Sequence, residues 1–277
     1  MLTEIADQQA EAVQPRARGV ARLTSKVGPR GSVIGDLHQA GSAKLVFPRS
    51  GDDSLQAVLV NTAGGITGGD RFDMSFEAVA NTSLTLTTQA AERAYGAQAN
   101  ETGQLTTTLK IGAGARLQWL PQETILFDQS RYCRTLRADL AADGQLLFVE
   151  PLVFGRTAMG ETLSDIAFND RVEIYRDGVP LFCDAVTLNG DALAHFARAA
   201  TGNGARAMAS VVYVAPEAPT HLANIRNALP VAAGATLIGR DVLHIRILAP
   251  DSFDLRTALI PVLETLSAAS LPKAWMI

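Results

Sequence analysis

Short strand-like segments joined by tight turns fill most of this sequence. From Gly19 onward they follow one another closely, and turn formers such as Gly28 and Pro48 bound them. Their apolar periodicity predicts strands over residues 20–27, 32–38, 43–47, 55–60, 72–79, 83–88, 104–111, 115–120, 124–127, 133–140, 145–149, 171–175, 180–186, 235–238 and 242–248. Closely spaced strands favour a sandwich, a barrel or a stacked solenoid over a βαβ architecture. The predicted fold class is mainly β, with many short strands in stacked sheets of sandwich or solenoid character.

Helical signals are confined to the C-terminal third of the sequence. Asp191 is a suitable N-cap for a helix that ends at residue 200, and Thr220 for a shorter helix that ends at residue 229. Asp251 or Ser252 can begin a third helix that runs to residue 265, with a kink or break at Pro261. We therefore expect two or three helices in this part of the chain.

The two ends of the chain differ from the rest. Residues 1–16 are rich in Ala, Gln and Glu, and we expect a flexible lead-in there, followed by a single domain over residues 17–277. The tail holds Trp275 beside Met276 and Ile277. Such an apolar end must pack against a surface, and another chain could provide that surface.

Composition argues against several classes of function. The net charge is -4 and the sequence has no block of Lys and Arg, so we expect no nucleic-acid role. No apolar run reaches membrane-spanning length, and the N-terminus lacks a signal-peptide pattern. We therefore expect a cytoplasmic protein in which Cys133 and Cys183 are reduced. Charged residues make up only 19% of the chain, which favours a surface that binds a partner protein.

The densest glycine cluster lies in residues 61–71, which read NTAGGITGGDR and join two predicted strands. Its glycines are Gly64, Gly65, Gly68 and Gly69. A P-loop would need Lys and Ser or Thr directly after the last glycine, where this chain has Asp70 and Arg71. A dinucleotide fingerprint would need a helix to follow, and a strand pattern follows instead. The cluster therefore predicts a tight backbone crossing in which only glycine fits.

Catalytic signatures are absent from the sequence. The four histidines, His38, His195, His221 and His244, show no pair at metal-ligand spacing. The chain contains no GxSxG nucleophile elbow, and neither cysteine lies in an activating motif. We therefore do not expect an enzyme.

The remaining candidates for a functional site are carboxylates in or beside apolar strands. An unpaired charge is costly there, so each of them needs a partner or water. Arg156 is a suitable counter-ion for Glu150 or Glu161, in which case the pair would fix a loop. The alternative is a polar passage whose carboxylates attract a divalent cation. Oxygen ligands hold such ions weakly, which suits transfer better than storage. The candidate carboxylates for this passage are Asp70, Glu123, Asp128 and Glu161.

Four segments together resemble one known family. They are LVNTAGGITGGDRF, LTTQAAERAY at 86–95, WLPQETILFD at 119–128 and FGRTAMGE at 154–161. In this order and spacing, the sequence resembles the UreD family of urease accessory proteins, called UreH in some bacteria. The resemblance runs from about Gly19 to the end of the chain. The residues that carry a structural or partner motif are Gly64, Gly65, Gly68, Gly69, Arg71, Arg156 and Trp275.

The resemblance implies a maturation factor for the nickel enzyme urease. Such a protein is expected to bind UreF directly, to reach the GTPase UreG through UreF, and to dock on the urease apoprotein. Nickel would be a transient cargo in an internal channel, with no tightly bound cofactor. The alternative from a different class is a cation-dependent hydrolase that uses Asp70, Glu123 and Glu161.

Overall fold

The computed structural model describes residues 14–49, 51–156, 159–267 and 269–276. Strands make up most of these residues, which confirms the predicted mainly β class. In chain order they are β1 (Arg18–Gly28), β2 (Gly31–Gly41), β3 (Ala43–Val46), β4 (Leu55–Asn61), β5 (Arg71–Ala78), β6 (Ser83–Thr88), β7 (Glu92–Ala94), β8 (Gly103–Ile111), β9 (Arg116–Leu120), β10 (Thr124–Leu126), β11 (Arg131–Leu140), β12 (Gln145–Phe154), β13 (Ile166–Arg176), β14 (Val179–Gly190), β15 (Ala207–Val214), β16 (Ala233–Ile238) and β17 (Val242–Ala249).

Two stacked sheets organise the described strands. A seven-stranded sheet has the order β14-β13-β11-β8-β5-β1-β2, and a ten-stranded sheet has the order β16-β17-β15-β12-β9-β6-β4-β3, with β10 beside β12 and β7 beside β10. Apart from the short strands β7 and β10, the chain alternates between the sheets from β4 to β13, and successive strands within each sheet pair in parallel. Each circuit of the chain therefore adds one strand to each sheet, which gives the stack its solenoid character.

Three helices occur in the described part of the chain, as the sequence predicts: α1 (Ala192–Ala197), α2 (Ala218–Ala228) and α3 (Ser252–Leu266). Asp191 caps α1 and Asp251 caps α3, each by accepting a bond from a backbone N–H three residues on. The prediction of Thr220 as the N-cap of α2 is wrong, because α2 begins at Ala218 and its N-cap is Glu217. Pro261 lies inside α3 without ending it. None of the described helices is long and apolar enough to cross a membrane.

Two apolar cores result from this layering. One fills the space between the sheets, and the other lies between the ten-stranded sheet and helices α2 and α3. Strand β12 is covered on both faces, so Phe148 packs into the first core and Val149 into the second. By the same alternation, Glu150 lies on the face that points between the sheets. The other side chains on this face of β12 are apolar, so the Glu150 carboxylate has to be stabilised by neighbouring side chains.

The C-terminal tail packs on its own domain. Trp275 has no exposed surface, and its indole Nε1 donates a hydrogen bond to the Leu120 carbonyl oxygen at 2.9 Å. No second chain is needed to cover this side chain, while Ile277 lies outside the described residues. Residues 1–13 of the predicted lead-in also lie outside them, and Arg16 forms an ion pair with Glu101.

Candidate functional site

A cavity of about 200 Å³ lies between the two sheets. Three of the four segments noted in the sequence contribute to its wall. Asn61 and Gly64 come from the first, Thr88, Gln89, Ala90, Ala91, Glu92 and Arg93 from the second, and Trp119, Pro121, Gln122 and Thr124 from the third. Tyr132 and Arg134 from β11 and Glu150 from β12 also line it. We call this space the central cavity.

A buried charge cluster, formed by Arg134, Glu150 and Asp170, lies at one side of the central cavity. Arg134 and Asp170 are register partners on β11 and β13, and Glu150 reaches them from the facing sheet. Arg134 donates through Nε to Asp170 Oδ1 at 3.0 Å and through Nη2 to Asp170 Oδ2 at 2.5 Å. The same Nη2 lies 2.8 Å from Glu150 Oε2. All three side chains are at least nine-tenths buried, so their charges interact with little screening by solvent.

Burial controls the protonation of this cluster. It raises the pKa of Glu150 to about 8, although the Arg134 guanidinium acts to lower it. Burial alone would lower the pKa of Arg134, but the carboxylates of Asp170 and Glu150 raise it further, so Arg134 stays charged. Burial also raises the pKa of Glu92, against a hydrogen bond from Asn61. The cavity therefore holds two carboxyl groups that a bound cation would help to ionise.

Buried polar atoms of the cavity wall also lack partners in the protein. Gln122 is 5% exposed and Tyr132 is 1% exposed, yet Gln122 Nε2 and the Tyr132 hydroxyl have no hydrogen-bond partner within the described residues. Buried polar groups are nearly always hydrogen-bonded to protein or to water. These atoms therefore fit a cavity whose contents are polar.

A second, smaller pocket of about 20 Å³ continues from the cluster toward β14 and β17. Glu150 lines both spaces, while Asp170, Asp184, Ser210 and Arg246 line only the second. Asp184 and Arg246 form an ion pair across the two sheets, at the level of Ser210. Polar side chains thus form a series from the central cavity to the side of the stack where β14 is the edge strand.

The four carboxylates predicted for a passage lie outside the wall of the central cavity. Asp70 accepts hydrogen bonds from the backbone N–H groups of Ala17 and Thr67, at 2.7 and 2.9 Å. Glu123 pairs with Arg256 at 3.0 Å. Asp70 and Glu123 therefore hold separate parts of the chain, and their part in a passage stays a prediction.

Asp128 and Glu161 lie next to each other. Glu161 Oε1 accepts from the Asp128 backbone N–H at 3.2 Å, and Asp128 Oδ1 accepts from the Asp165 backbone N–H at 3.1 Å. Arg156 pairs with Glu161 at 3.0 Å and lies over the Phe127 ring. Of the two partners proposed for Arg156, the structure therefore selects Glu161. Glu150 lies against Arg134 instead, with its Oε2 2.8 Å from Arg134 Nη2.

The glycine-rich loop has the backbone that its sequence predicts. Gly64 and Gly69 have φ angles of 79° and 80°, in the region that side chains disfavour. A Cβ atom on Gly65 would lie 2.2 Å from Tyr95 Cε2, and one on Gly68 would lie 2.7 Å from the Glu101 Cβ. The loop is thus a close crossing that helps to form the cavity wall. Arg71, which follows it, is exposed and begins β5.

Sequence reasoning missed most of the residues that meet at the cavity. Glu92, Tyr132, Arg134 and Asp170 were not singled out, and Glu150 was considered only as a partner of Arg156. One signal could have found them: Arg134, Glu150 and Asp170 each occupy a core-facing position of a strand.

In the described ranges, no group of three or more His, Cys, Asp or Glu residues could hold a metal ion. The hydrolase alternative also lacks support, because Asp70, Glu123 and Glu161 are each held by a different partner.

The fold and the site define a class, a stacked-sheet β protein with a cavity between its sheets that polar and charged side chains help to line. Comparison with known proteins then gives the family. The family model described as UreD urease accessory protein matches residues 17–276. The chain belongs to the UreD family of urease accessory proteins.

Similar curated proteins carry the same description. A "Urease accessory protein UreD" from Roseobacter denitrificans is 50% identical over 262 residues, which cover 95% of this chain and 96% of the relative. One from Ruegeria pomeroyi is 51% identical over 255 residues, covering 92% of this chain and 99% of the relative. One from Rhizobium rhizogenes is 41% identical over 261 residues, covering 94% and 95%. With relatives of this description, the chain is an accessory protein rather than an enzyme.

Proposed function

We propose that this chain takes part in the maturation of urease by passing nickel toward the urease active site, and that the central cavity is part of the nickel path. The relatives named as urease accessory proteins support the process. The main support for this path is the position of Glu150, which lines both the central cavity and the second pocket. A cation held at this carboxylate is within reach of both spaces.

The donor set of the cavity suits transfer. Glu92 and Glu150 are its carboxylates, and Asn61, Gln122 and Thr124 add neutral polar groups. Oxygen ligands bind first-row divalent ions less tightly than imidazole or thiolate ligands do. Nickel is therefore a transient cargo in this proposal and has no resident site. Water can occupy coordination positions that protein does not fill, because Gln122 Nε2 and the Tyr132 hydroxyl in the cavity wall have no hydrogen-bond partner among the described residues.

The partners in this proposal are UreF by direct contact, UreG through UreF, and the urease apoprotein, all in the cytoplasm. The chain then acts as a scaffold that joins the nickel-carrying GTPase to its target. Exposed apolar side chains such as Phe253, at 74% exposure, and Val231, fully exposed, support binding to other proteins.

Co-expression tests the proposal. The urease subunits and UreF are produced with this chain, without it, and with Glu92→Gln combined with Glu150→Gln. We expect the chain to copurify with both partners, and the double variant to form the same complex but to deliver less nickel. Asp139→Asn is the control, because Asp139 is an exposed carboxylate paired with Arg137 on the outer part of β11. Full urease activation without the chain would refute the proposed function.

A further inference from the structure

The Arg134 guanidinium lies between two carboxylates that come from facing sheets. Its Nη2 atom is 2.8 Å from Glu150 Oε2 and 2.5 Å from Asp170 Oδ2. Because both oxygens contact one nitrogen atom, they face a common point. Divalent cations bind carboxylate oxygens at about 2.0 to 2.6 Å. Small side-chain movements would therefore let a cation replace the nitrogen atom.

The cluster forms the wall between the two spaces. Arg134 lines only the central cavity, Asp170 lines only the second pocket, and Glu150 lines both. A cation that crosses from one space to the other has to pass these three side chains. The positive charge of Arg134 opposes its approach for as long as the guanidinium stays between the carboxylates.

We propose that Glu150 and Asp170 form a two-carboxylate site for a divalent cation and that Arg134 is a displaceable plug in this site. This inference rests on the proposed nickel path and adds the point at which the cation crosses. The incoming ion takes the place of the guanidinium, which turns into the central cavity. Arg134 already contacts Thr124 Oγ1 there at 3.3 Å, and Glu92 offers a second carboxylate.

Charge explains why a divalent ion would displace the guanidinium. An ion of charge two gains more from a pair of carboxylates than a single positive charge does, whereas a monovalent ion gains no such advantage. The Tyr132 hydroxyl and Gln122 Nε2 belong to side chains more than nine-tenths buried and have no partner in the part of the chain that the structure describes. They can therefore hold water molecules that complete the coordination. Two carboxylates and water bind weakly enough for the ion to leave.

Nickel binding to variants of the full chain, in complex with UreF, tests the plug. Arg134→Gln removes the competing charge, so we expect equilibrium dialysis to find one additional Ni²⁺ per chain, bound at least tenfold more tightly than by the unchanged protein. The matched control is Arg134→Gln with Glu150→Gln, which restores the net charge of the ionised cluster but removes one ligand. It should lose the additional ion. K⁺ in excess should not compete, whereas Co²⁺ should.

Folding is followed in parallel, because Arg134→Gln leaves two buried carboxylates without a counter-charge. Ni²⁺ should raise the Tm of this variant more than that of the unchanged protein, since a ligand that binds only the folded state stabilises it. Arg131→Gln is the control, because Arg131 is on the same strand but pairs with exposed Asp165. An Arg134→Gln chain that stays unfolded with Ni²⁺, or binds no more Ni²⁺ than the double variant, overturns the site.

The two levels of the proposal fail differently. If the chain activates urease normally but Arg134→Gln gains no nickel, only the plug is overturned. If urease is activated fully without the chain, the proposed function is overturned. The dialysis result still decides whether Glu150 and Asp170 bind a divalent cation.

Discussion

The buried carboxyl group of Glu150 should make the stability of the fold depend on pH. Burial raises the pKa of Glu150 from 4.5 to about 8 in the folded state. Between these values the folded state binds more protons than the unfolded state, so stability falls as pH rises from about 4.5 to about 8 and is constant above that. At about 1.4 kcal/mol per pKa unit, the free energy of unfolding should lose roughly 3 to 4 kcal/mol between pH 5 and pH 8 from this residue alone.

Glu150→Gln isolates the effect, because the amide has nearly the same shape and does not titrate. Urea denaturation at pH 5, 6, 7 and 8 gives the free energy of unfolding of both proteins. We expect similar stabilities near pH 5 and a growing relative advantage of the variant toward pH 8. Asp139→Asn, on the exposed part of β11, should show no such trend. A difference between Glu150→Gln and the unchanged protein that is constant from pH 5 to pH 8 would refute the reasoning.

Three further predictions concern folding and carboxylate roles. Gly69→Val should lower the free energy of unfolding by on the order of 1 kcal/mol or more, and with it the folded yield, because the φ of Gly69 is 80°. Gly51→Ala is the control and should leave the yield unchanged, because the space around its Cβ position is open. Trp275→Ala should lower the free energy of unfolding by about 3 to 5 kcal/mol, because the ring is fully buried. Chemical denaturation measures this loss, and an unchanged midpoint of the denaturation curve would contradict packing of the tail on its own domain. Asp70→Asn and Glu161→Gln should each reduce stability, because each carboxylate accepts hydrogen bonds from two backbone N–H groups through two different oxygens and the amide keeps only one of them; thermal unfolding measures both variants, and an unchanged Tm in either would contradict these roles.

Local patterns predicted much of the fold. The strands, the caps at Asp191 and Asp251, and the glycine crossing all follow from neighbouring residues, and each agrees with the structure. Two of the described strands, β7 and β15, have no counterpart among the predicted ones. β7 is only three residues long, and β15 is a nearly continuous apolar run covered on both faces. Such a run does not alternate, so periodicity cannot distinguish it from a buried helix.

Tertiary pairing explains the other differences. Strand β12 was expected to end at residue 149, before Pro151, but it continues to Phe154. On its parallel side, β12 pairs with β9 up to Phe148 and with β10 from Leu152 onward. Pro151 lies between these two stretches, where neither β9 nor β10 needs a backbone N–H from it. The three members of the charge cluster come from strands whose adjacency depends on the whole stack. Local spacing could therefore suggest Arg156 as the partner of Glu150, but could not indicate Arg134.

The nickel content of urease recovered from a complex with a blocked cavity tests the central claim most directly. Ala91 lines the central cavity, and Ala91→Trp would fill much of the space, whereas Ala113→Trp adds the same side chain at an exposed turn between β8 and β9. Both variants are co-expressed with UreF and urease, and nickel is measured per assembled complex. The account predicts that Ala91→Trp assembles normally but yields urease with much less nickel and activity than Ala113→Trp. Equal nickel loading by the two variants would contradict a path through this cavity.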